Sequence, residues 1–257
     1  MQANELIANT HRGQMVTRII DMPSGYREEM HEHAWHQIIY PVKGLLQSSI
    51  DEKHFIIPHN GLLFVPAFSR HRSIAVTNTE FLAIYLNPSH TVEFLSEAKT
   101  CQVTPFLKEL ILTLFDLDEA YSEQRLSRMI AVLNDQLIMA GSFDIPLLIP
   151  TDNRLKTIFV QLQAQPDSEK TLVEWAGIAG ASERTLSRLI AKEFKLSFAL
   201  WRQHIRMVLS LAALDTNKSI QQIALEFGYQ SDSSYIHAFK QMFKLTPNQY
   251  KKLHFPD

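Results

Sequence analysis

One segment of this chain is written twice, and that duplication limits its fold more than any other feature. Phe194-Lys195-Leu196-Ser197 returns as Phe243-Lys244-Leu245-Thr246, 49 positions later. What precedes each copy repeats as well: Thr171, Glu174, Ala176 and Gly180 correspond to Ser219, Gln222, Ala224 and Gly228, 48 positions on. Each copy spells out two short helices joined by a tight turn. In the first, Thr171 and Glu174 form a capping-box pattern, hydroxyl and carboxylate each accepting an orphan backbone N–H. Leu172, Trp175 and Ala176 share one helical face. Ala176 is small enough for a second helix to cross closely, and Gly180 stands where the turn calls for positive φ. Ser182 is placed to cap the next helix, which turns Leu186, Leu189, Ile190 and Phe194 inward and Glu183, Arg184, Ser187 and Arg188 outward.

The second copy follows the same logic with one extra residue at its turn. Ser219 and Gln222 cap, Ile220, Ile223, Ala224 and Phe227 pack, and Gly228 turns. Ser231 or Asp232 opens a helix that buries Tyr235, Ala238, Phe239, Met242 and Phe243. Thr246 followed by Pro247 starts another, with proline at the first helical position, where its missing N–H is harmless. A generic helical bundle is the plainer reading of either copy alone. Two copies in matching order, each with caps and the same downstream segment, favour tandem helix-turn-helix units.

Residues Ile223, Ala224, Glu226, Gly228, Tyr229, Ser231, Ser233, Tyr235, Phe239, Lys240, Phe243, Thr246, Pro247, Tyr250 and Lys251 together closely resemble the signature of the AraC/XylS family of bacterial transcription regulators. The likeness covers about the last hundred residues. It implies seven helices, with two recognition helices entering successive major grooves on one face of DNA. Arginine reads guanine, and serine or threonine reads either base or phosphate. The candidate DNA contacts are therefore Ser182, Arg184, Thr185, Ser187 and Arg188 in the first unit, and Ser231, Asp232, Ser233, His237 and Lys240 in the second. Two departures stand out. Lys195 and Lys244 occupy positions where the family often has glycine, so those helix ends are expected to be capped differently. His237 replaces a frequent arginine, which makes the second unit the weaker reader.

Charge agrees with this division. From Thr151 onward there are 14 Lys/Arg against 10 Asp/Glu, a balance of +4, and before it 11 against 17, a balance of −6. A mildly basic reader joined to an acidic domain is electrostatically reasonable, and its DNA affinity should depend strongly on salt. The single cysteine, Cys101, excludes an internal disulfide and a multi-cysteine zinc site, and is read as a packed side chain near a helix start. No 18-residue apolar run and no signal-like N-terminus is present, so the expected location is cytoplasmic, with no membrane partner.

Residues 15 to 86 carry short β-branched and aromatic runs: Met15–Ile20, Trp35–Val42, Leu45–Ile50, His54–Ile57, Leu62–Val65, Arg72–Thr77 and Phe81–Leu86. Such spacing predicts a barrel or sandwich. Within it, Gly25-(x5)-His31-x-His33-(x3)-Gln37-(x6)-Gly44 and Gly61-(x4)-Pro66-(x4)-His71 resemble the two cupin motifs, with Gln37 in the usual glutamate position and Phe68 in place of a frequent glycine. The resemblance implies a small β-barrel with His31, His33, Gln37 and His71 at its mouth. In extended conformation positions 31, 33 and 37 share a face. Three readings stay open for the cluster: an organic effector pocket, a divalent metal site, and a structural remnant. Trp35, His36, Phe64, Phe68 and Tyr85 are read as core aromatics first and pocket aromatics second.

Between the halves, Leu126, Ile130, Leu133, Leu137 and Ala140 form an a/d stripe. It either packs on the chain's own sheet or, as the family resemblance implies, pairs two subunits. Pro146 and Pro150 then break helix, and Asp152 is placed to cap the next. The expected fold class is α+β: a cupin-like β-barrel at 1–100, a helical dimerisation segment at 101–141, a linker at 142–153, and an all-α domain at 154–254 with units near 171–192 and 219–242. The expected function is a non-enzymatic, homodimeric DNA-binding regulator that answers to a small-molecule effector. By resemblance it activates rather than represses and works on promoter DNA with RNA polymerase. The rival is a metal-dependent cupin enzyme with an accessory helical domain.

Overall fold

The computed structural model describes residues 7, 13–51, 53–59, 61–89, 92–117, 122–145 and 149–254. The chain divides into two compact units, Met1–Ile145 and Pro146–Asp257. In the first lie strands β1 (Met15–Met22), β2 (His36–Lys43), β3 (Leu45–Ile50), β4 (Lys53–Pro58), β5 (Gly61–Val65), β6 (His71–Ala75), β7 (Thr79–Leu86) and β8 (Lys99–Gln102). They build two antiparallel sheets, one of order β1-β7-β2-β5-β8 and one of order β4-β3-β6. The cupin-like barrel is made by their facing surfaces.

Strand β2 reads as almost continuously apolar because both of its faces are covered. Ile39 joins Leu46, Leu63, Phe81 and Ala83 between the sheets. Ile38 and Tyr40 point the other way, into a cluster with Leu62, Ile84 and Leu86. That outer cluster is closed by helices α1 (Pro105–Phe115) and α2 (Glu123–Met139), capped by Thr104 and Ser122. The a/d stripe is used here. Ile130, Leu133 and Leu137 are fully buried in the cluster, with Leu126 and Ala140 packed against it. The stripe therefore packs on the chain's own sheet, and α2 leaves Val132, Ile138 and Met139 exposed.

Strand β8 is an addition to the expected strands. Leu62 pairs with Cys101 and Leu63 with Thr100, so the sheet runs past residue 100, where the barrel was expected to end. Cys101 is buried on this strand, and burial pushes its thiol up to about 11. At the β2–β3 turn only glycine fits. Gly44 has φ +84°, and a Cβ there would lie 2.3 Å from the Asn78 carbonyl oxygen.

The second unit holds seven α-helices among the described residues, the number the family resemblance implied: α3 (Asn153–Ala164), α4 (Leu172–Ile178), α5 (Glu183–Phe194), α6 (Phe198–Ser210), α7 (Ile220–Glu226), α8 (Asp232–Phe243) and α9 (Pro247–His254), with a 3-10 turn at Leu211–Asp215. Asp152 caps α3 and also holds the Arg154 guanidinium at 2.8 Å. Pro146 of the linker lies outside the described residues. Both capping boxes form as read from sequence, Thr171 with Glu174 and Ser219 with Gln222. Thr246 and Gln249 add a further reciprocal pair at the start of α9. Trp175, Leu186, Ile190, Trp201 and Ile205 fill the first core, and Ile223, Ala224, Tyr235, Phe239 and Tyr250 the second.

Helices α5 and α8 end on Lys195 at φ 58° and Lys244 at φ 61°. The left-handed geometry that usually selects glycine is kept, with lysine in it. Each ammonium compensates by donating to a terminal carbonyl of its own helix, Lys195 Nζ to Lys192 O at 3.3 Å and Lys244 Nζ to Gln241 O at 3.0 Å.

Candidate nucleic-acid interface and histidine pocket

Helix α5 presents Arg184, Ser187 and Arg188 to solvent, while Leu186 and Ile190 hold the opposite face in the core. Arg184 and Arg188 are four residues apart and so lie one above the other on the same helical face. Ser182 is the N-cap, its Oγ accepting from Thr185 N–H at 3.2 Å and lying 2.9 Å from Thr185 Oγ1. Those two hydroxyls are engaged with each other and the backbone, while Arg184, Ser187 and Arg188 are exposed beside them. A planar guanidinium offers the paired donors that guanine O6 and N7 accept.

The second unit is occupied differently. Ser231 caps α8 by accepting from Ser234 N–H at 3.2 Å, and Asp232 Oδ1 accepts from Ser233 N–H at 2.7 Å. His237 Nε2 lies 2.9 Å from Gln241 Nε2, so this ring accepts from its own helix neighbour. Lys240 is exposed. Both helices therefore engage their cap hydroxyls locally; what differs is that α5 exposes Arg184 and Arg188 while α8 offers His237, engaged by Gln241, and Lys240. Beneath them, Tyr235 OH and Ser210 Oγ meet at 2.9 Å and tie α8 to α6.

In the first unit His31, His33 and His71 converge, with one ring nitrogen of each lying within 4.8 Å of the others. They do not come from one extended run. The chain bends at 34–35, and His31 reaches the cluster through a bridge with His71, each N–H donating to the other's carbonyl at 2.9 and 2.8 Å. His33 is fixed by Phe68 N–H, which donates to its carbonyl at 2.8 Å. Phe68 itself is 70% exposed with φ 62°, so the expectation of a core aromatic fails for it: the turn that holds His33 points its side chain outward. Trp35, Phe64 and Tyr85 are buried, and His36 packs 5.4 Å from Phe64 while accepting from Ala67 N–H at 3.0 Å.

Each imidazole is oriented by a backbone carbonyl. Nδ1 of His31, His33 and His71 lies 2.9, 2.6 and 2.9 Å from the carbonyls of Glu29, Trp35 and Ser69. A carbonyl only accepts, so each Nδ1 carries a proton, and wherever the ring is neutral its Nε2 keeps the lone pair. Burial depresses His33 and holds His71 down at about 3, so both rings are neutral near pH 7. Gln37 Oε1 stands 3.2 Å from His33 Nε2 and 3.0 Å from His71 Nε2. An oxygen facing two lone pairs is satisfied in one of two ways. A cation sits among the three, or the amide turns over, its NH2 donating to both rings and its oxygen accepting from Tyr85 OH, now 3.4 Å from the amide nitrogen. The donor set thus fits a divalent ion of the kind that takes imidazole and oxygen ligands.

Sequence reasoning missed the rest of this pocket. Glu28 Oε2 accepts from Ser73 N–H at 3.0 Å, and burial raises the Glu28 carboxyl while nearby His31 opposes that rise. Ser48 and Ser73 pair across β3 and β6 at 2.9 Å. Arg18 acts electrostatically on both Glu28 and Tyr85. In sequence Glu28 is one of three glutamates beside His31, with Glu29 and Glu32, and nothing in their spacing marks the one that turns inward.

A model of the AraC-like ligand binding domain matches residues 14–143, and a model of a helix-turn-helix domain matches residues 175–253. The chain is 28% identical over 222 residues to the HTH-type transcriptional regulator NimR of Escherichia coli (strain K12), covering 86% of this chain and 81% of that one. It is 28% identical over 102 residues to the HTH-type transcriptional regulator MtrA of Neisseria gonorrhoeae, covering 39% of this chain and 34% of that one. Among solved structures, unsaturated fatty acid-bound ToxT from Vibrio cholerae aligns over 95% of this chain and 96% of its own, at 12% identity and a TM-score of 0.41. Among the described residues, no helix is long and apolar enough to cross a membrane.

Proposed function

The chain belongs to the AraC family of transcription regulators with an AraC-like ligand-binding domain, and on that premise we propose that it reads promoter DNA mainly through α5 and is switched by a small molecule held in its barrel. The observation that carries this reading is the asymmetry of the two readers. Arg184, Ser187 and Arg188 stand exposed on α5, whereas α8 carries no arginine and its His237 is engaged by Gln241 of the same helix. Specific contact then rests on α5, and α8 contributes chiefly position and phosphate contact through Lys240. The assay is binding to the chain's own upstream region in 50 mM salt. Arg188→Ala should lose at least tenfold in specific affinity, and affinity unchanged in that variant refutes the assignment.

His31, His33, Gln37 and His71 lie together with Glu28, Arg18 and Tyr85 close by, polar groups set beside the apolar core of the sheet unit. Such an arrangement suits an organic ligand bearing polar groups at one end. An effector acts by binding one arrangement of the protein more tightly than another. Activation, pairing of two subunits and contact with RNA polymerase complete the proposal on family grounds. A second reading has its own support in the Nε2 geometry: His31, His33, His71 and Gln37 would hold a divalent ion, which would supply a fixed positive charge or Lewis acidity at the cluster. Titration of the full chain with Zn²⁺ and Ni²⁺ by calorimetry separates the readings. Micromolar binding that His71→Ala abolishes favours the ion, and an ion accompanied by turnover of a small substrate favours the rival enzyme.

A further inference from the structure

One side chain on α6, the helix between the two helix-turn-helix units, donates to the backbone beside both of them. Arg206, half-buried on α6, donates from Nη2 to Ser168 O at 2.8 Å, from Nε to Pro166 O at 2.5 Å and from Nη1 to Gly228 O at 3.3 Å. The first two carbonyls belong to the loop that runs directly into Thr171, the N-cap of α4. The third belongs to the turn between α7 and α8. One turn earlier on α6, Arg202 grips the same loop at Lys170 O, 3.0 Å away, but does not reach the second unit. The matching glycines record the difference. A Cβ at Gly180 would meet nothing within 4 Å, whereas at Gly228 it would lie 2.8 Å from the Arg206 guanidinium carbon and 3.0 Å from Asp167 Cα. The second turn is thus packed onto the brace, and the first turn is not.

We propose that Arg206 is a positioning residue for DNA recognition: by joining the entry of the first reader to the turn of the second, it sets the spacing between the two DNA elements the chain accepts. A guanidinium is the side chain for this because its planar fork donates in three directions at once, which an ammonium on a flexible stem does not reproduce. Leverage makes the brace matter. Successive major-groove contacts lie about 34 Å apart, so a tilt of about 10° at the junction displaces the far contact by about 6 Å, close to two base-pair steps.

The inference rests on the DNA-binding reading, and its test separates the two. Fragments selected by the wild-type full chain from a random duplex library are remade with one base pair inserted or deleted between the protected elements, and affinities are read by fluorescence anisotropy. The wild type should lose about twentyfold or more on either change. Arg206→Gln should bind the original spacing about tenfold more weakly and lose under threefold on the altered spacings, with Arg206→Lys in between. A folded Arg206→Gln or Arg206→Lys protein that keeps the wild-type spacing penalty overturns the proposal. So does a pair of variants that no longer fold, since a brace between two self-packed units leaves each core intact. Failure of the wild type to select any sequence would instead defeat the DNA-binding reading itself.

Discussion

Replacing Lys195 and Lys244 by glycine should stabilise the helical unit, although both substitutions delete a hydrogen bond. Each lysine sits in the left-handed region, at φ 58° and 61°, where a side chain costs about 1–2 kcal/mol. Against that relief, glycine makes the unfolded chain more flexible, roughly 0.5–1 kcal/mol. The exposed Nζ contacts to Lys192 O and Gln241 O contribute only a few tenths. The net gain is about 0.5 kcal/mol per site, and up to about 1 where the strain relief is greatest. The two positions lie on separate helices 49 residues apart, so their effects should add. A double variant should melt roughly 4–8 °C higher, followed by helical circular dichroism. Lys192→Gly is the control, because that residue is exposed within α5 and glycine there should cost about 0.7 kcal/mol. The same chemical change thus carries opposite signs three residues apart. If Lys195→Gly and Lys244→Gly lower the melting temperature as Lys192→Gly does, the assignment of backbone strain to those helix ends is wrong.

Three further outcomes follow from the structure. Gly44→Ala places a Cβ against the Asn78 carbonyl and adds left-handed strain, so the sheet unit should lose about 2–3 kcal/mol in urea unfolding; a loss below about 0.5 would contradict the packing. Thr171→Ala and Ser219→Ala each remove an N-cap of a helix-turn-helix unit and should each cost about 1 kcal/mol, while a neutral result in both would mean the capping boxes do not form in solution. Gln37→Glu puts an anionic oxygen 3.0–3.2 Å from His71 and His33 Nε2. If the cluster takes a divalent ion, Zn²⁺ affinity by calorimetry should rise at least tenfold, and an unchanged or absent affinity would point to the metal-free amide network.

The helical unit was the more legible half because its signals are local. Thr171 with Glu174, Ser219 with Gln222, and the two turn glycines each act within a few residues, so spacing alone determines what they do. The sheet unit was read well strand by strand but poorly across strands. Lys99–Gln102 is too short to announce itself, and its pairing with β5 depends on partners 35 to 41 positions away. The histidines were found from spacing, yet the geometry that makes them a cluster, the His31–His71 bridge, is a long-range contact that no local period encodes. On α2 the local period left the covering partner open. An a/d repeat reports that a face is covered, and Leu133 and Leu137 are covered by the chain's own sheet. Phe68 followed neither rule, because the backbone there was chosen to hold His33 and the ring was left outside.

On the proposed reading, two structurally similar helix-turn-helix units contact DNA unequally. Hydroxyl-radical footprinting on the upstream region, with wild type, Arg184→Ala, Arg188→Ala and His237→Ala, tests it most directly. The wild type should protect two stretches on one face of the duplex, about 10 base pairs apart. Both arginine variants should lose the stretch under α5 at concentrations where His237→Ala still protects both. Equal loss in all three variants, or a single protected stretch in the wild type, would contradict it.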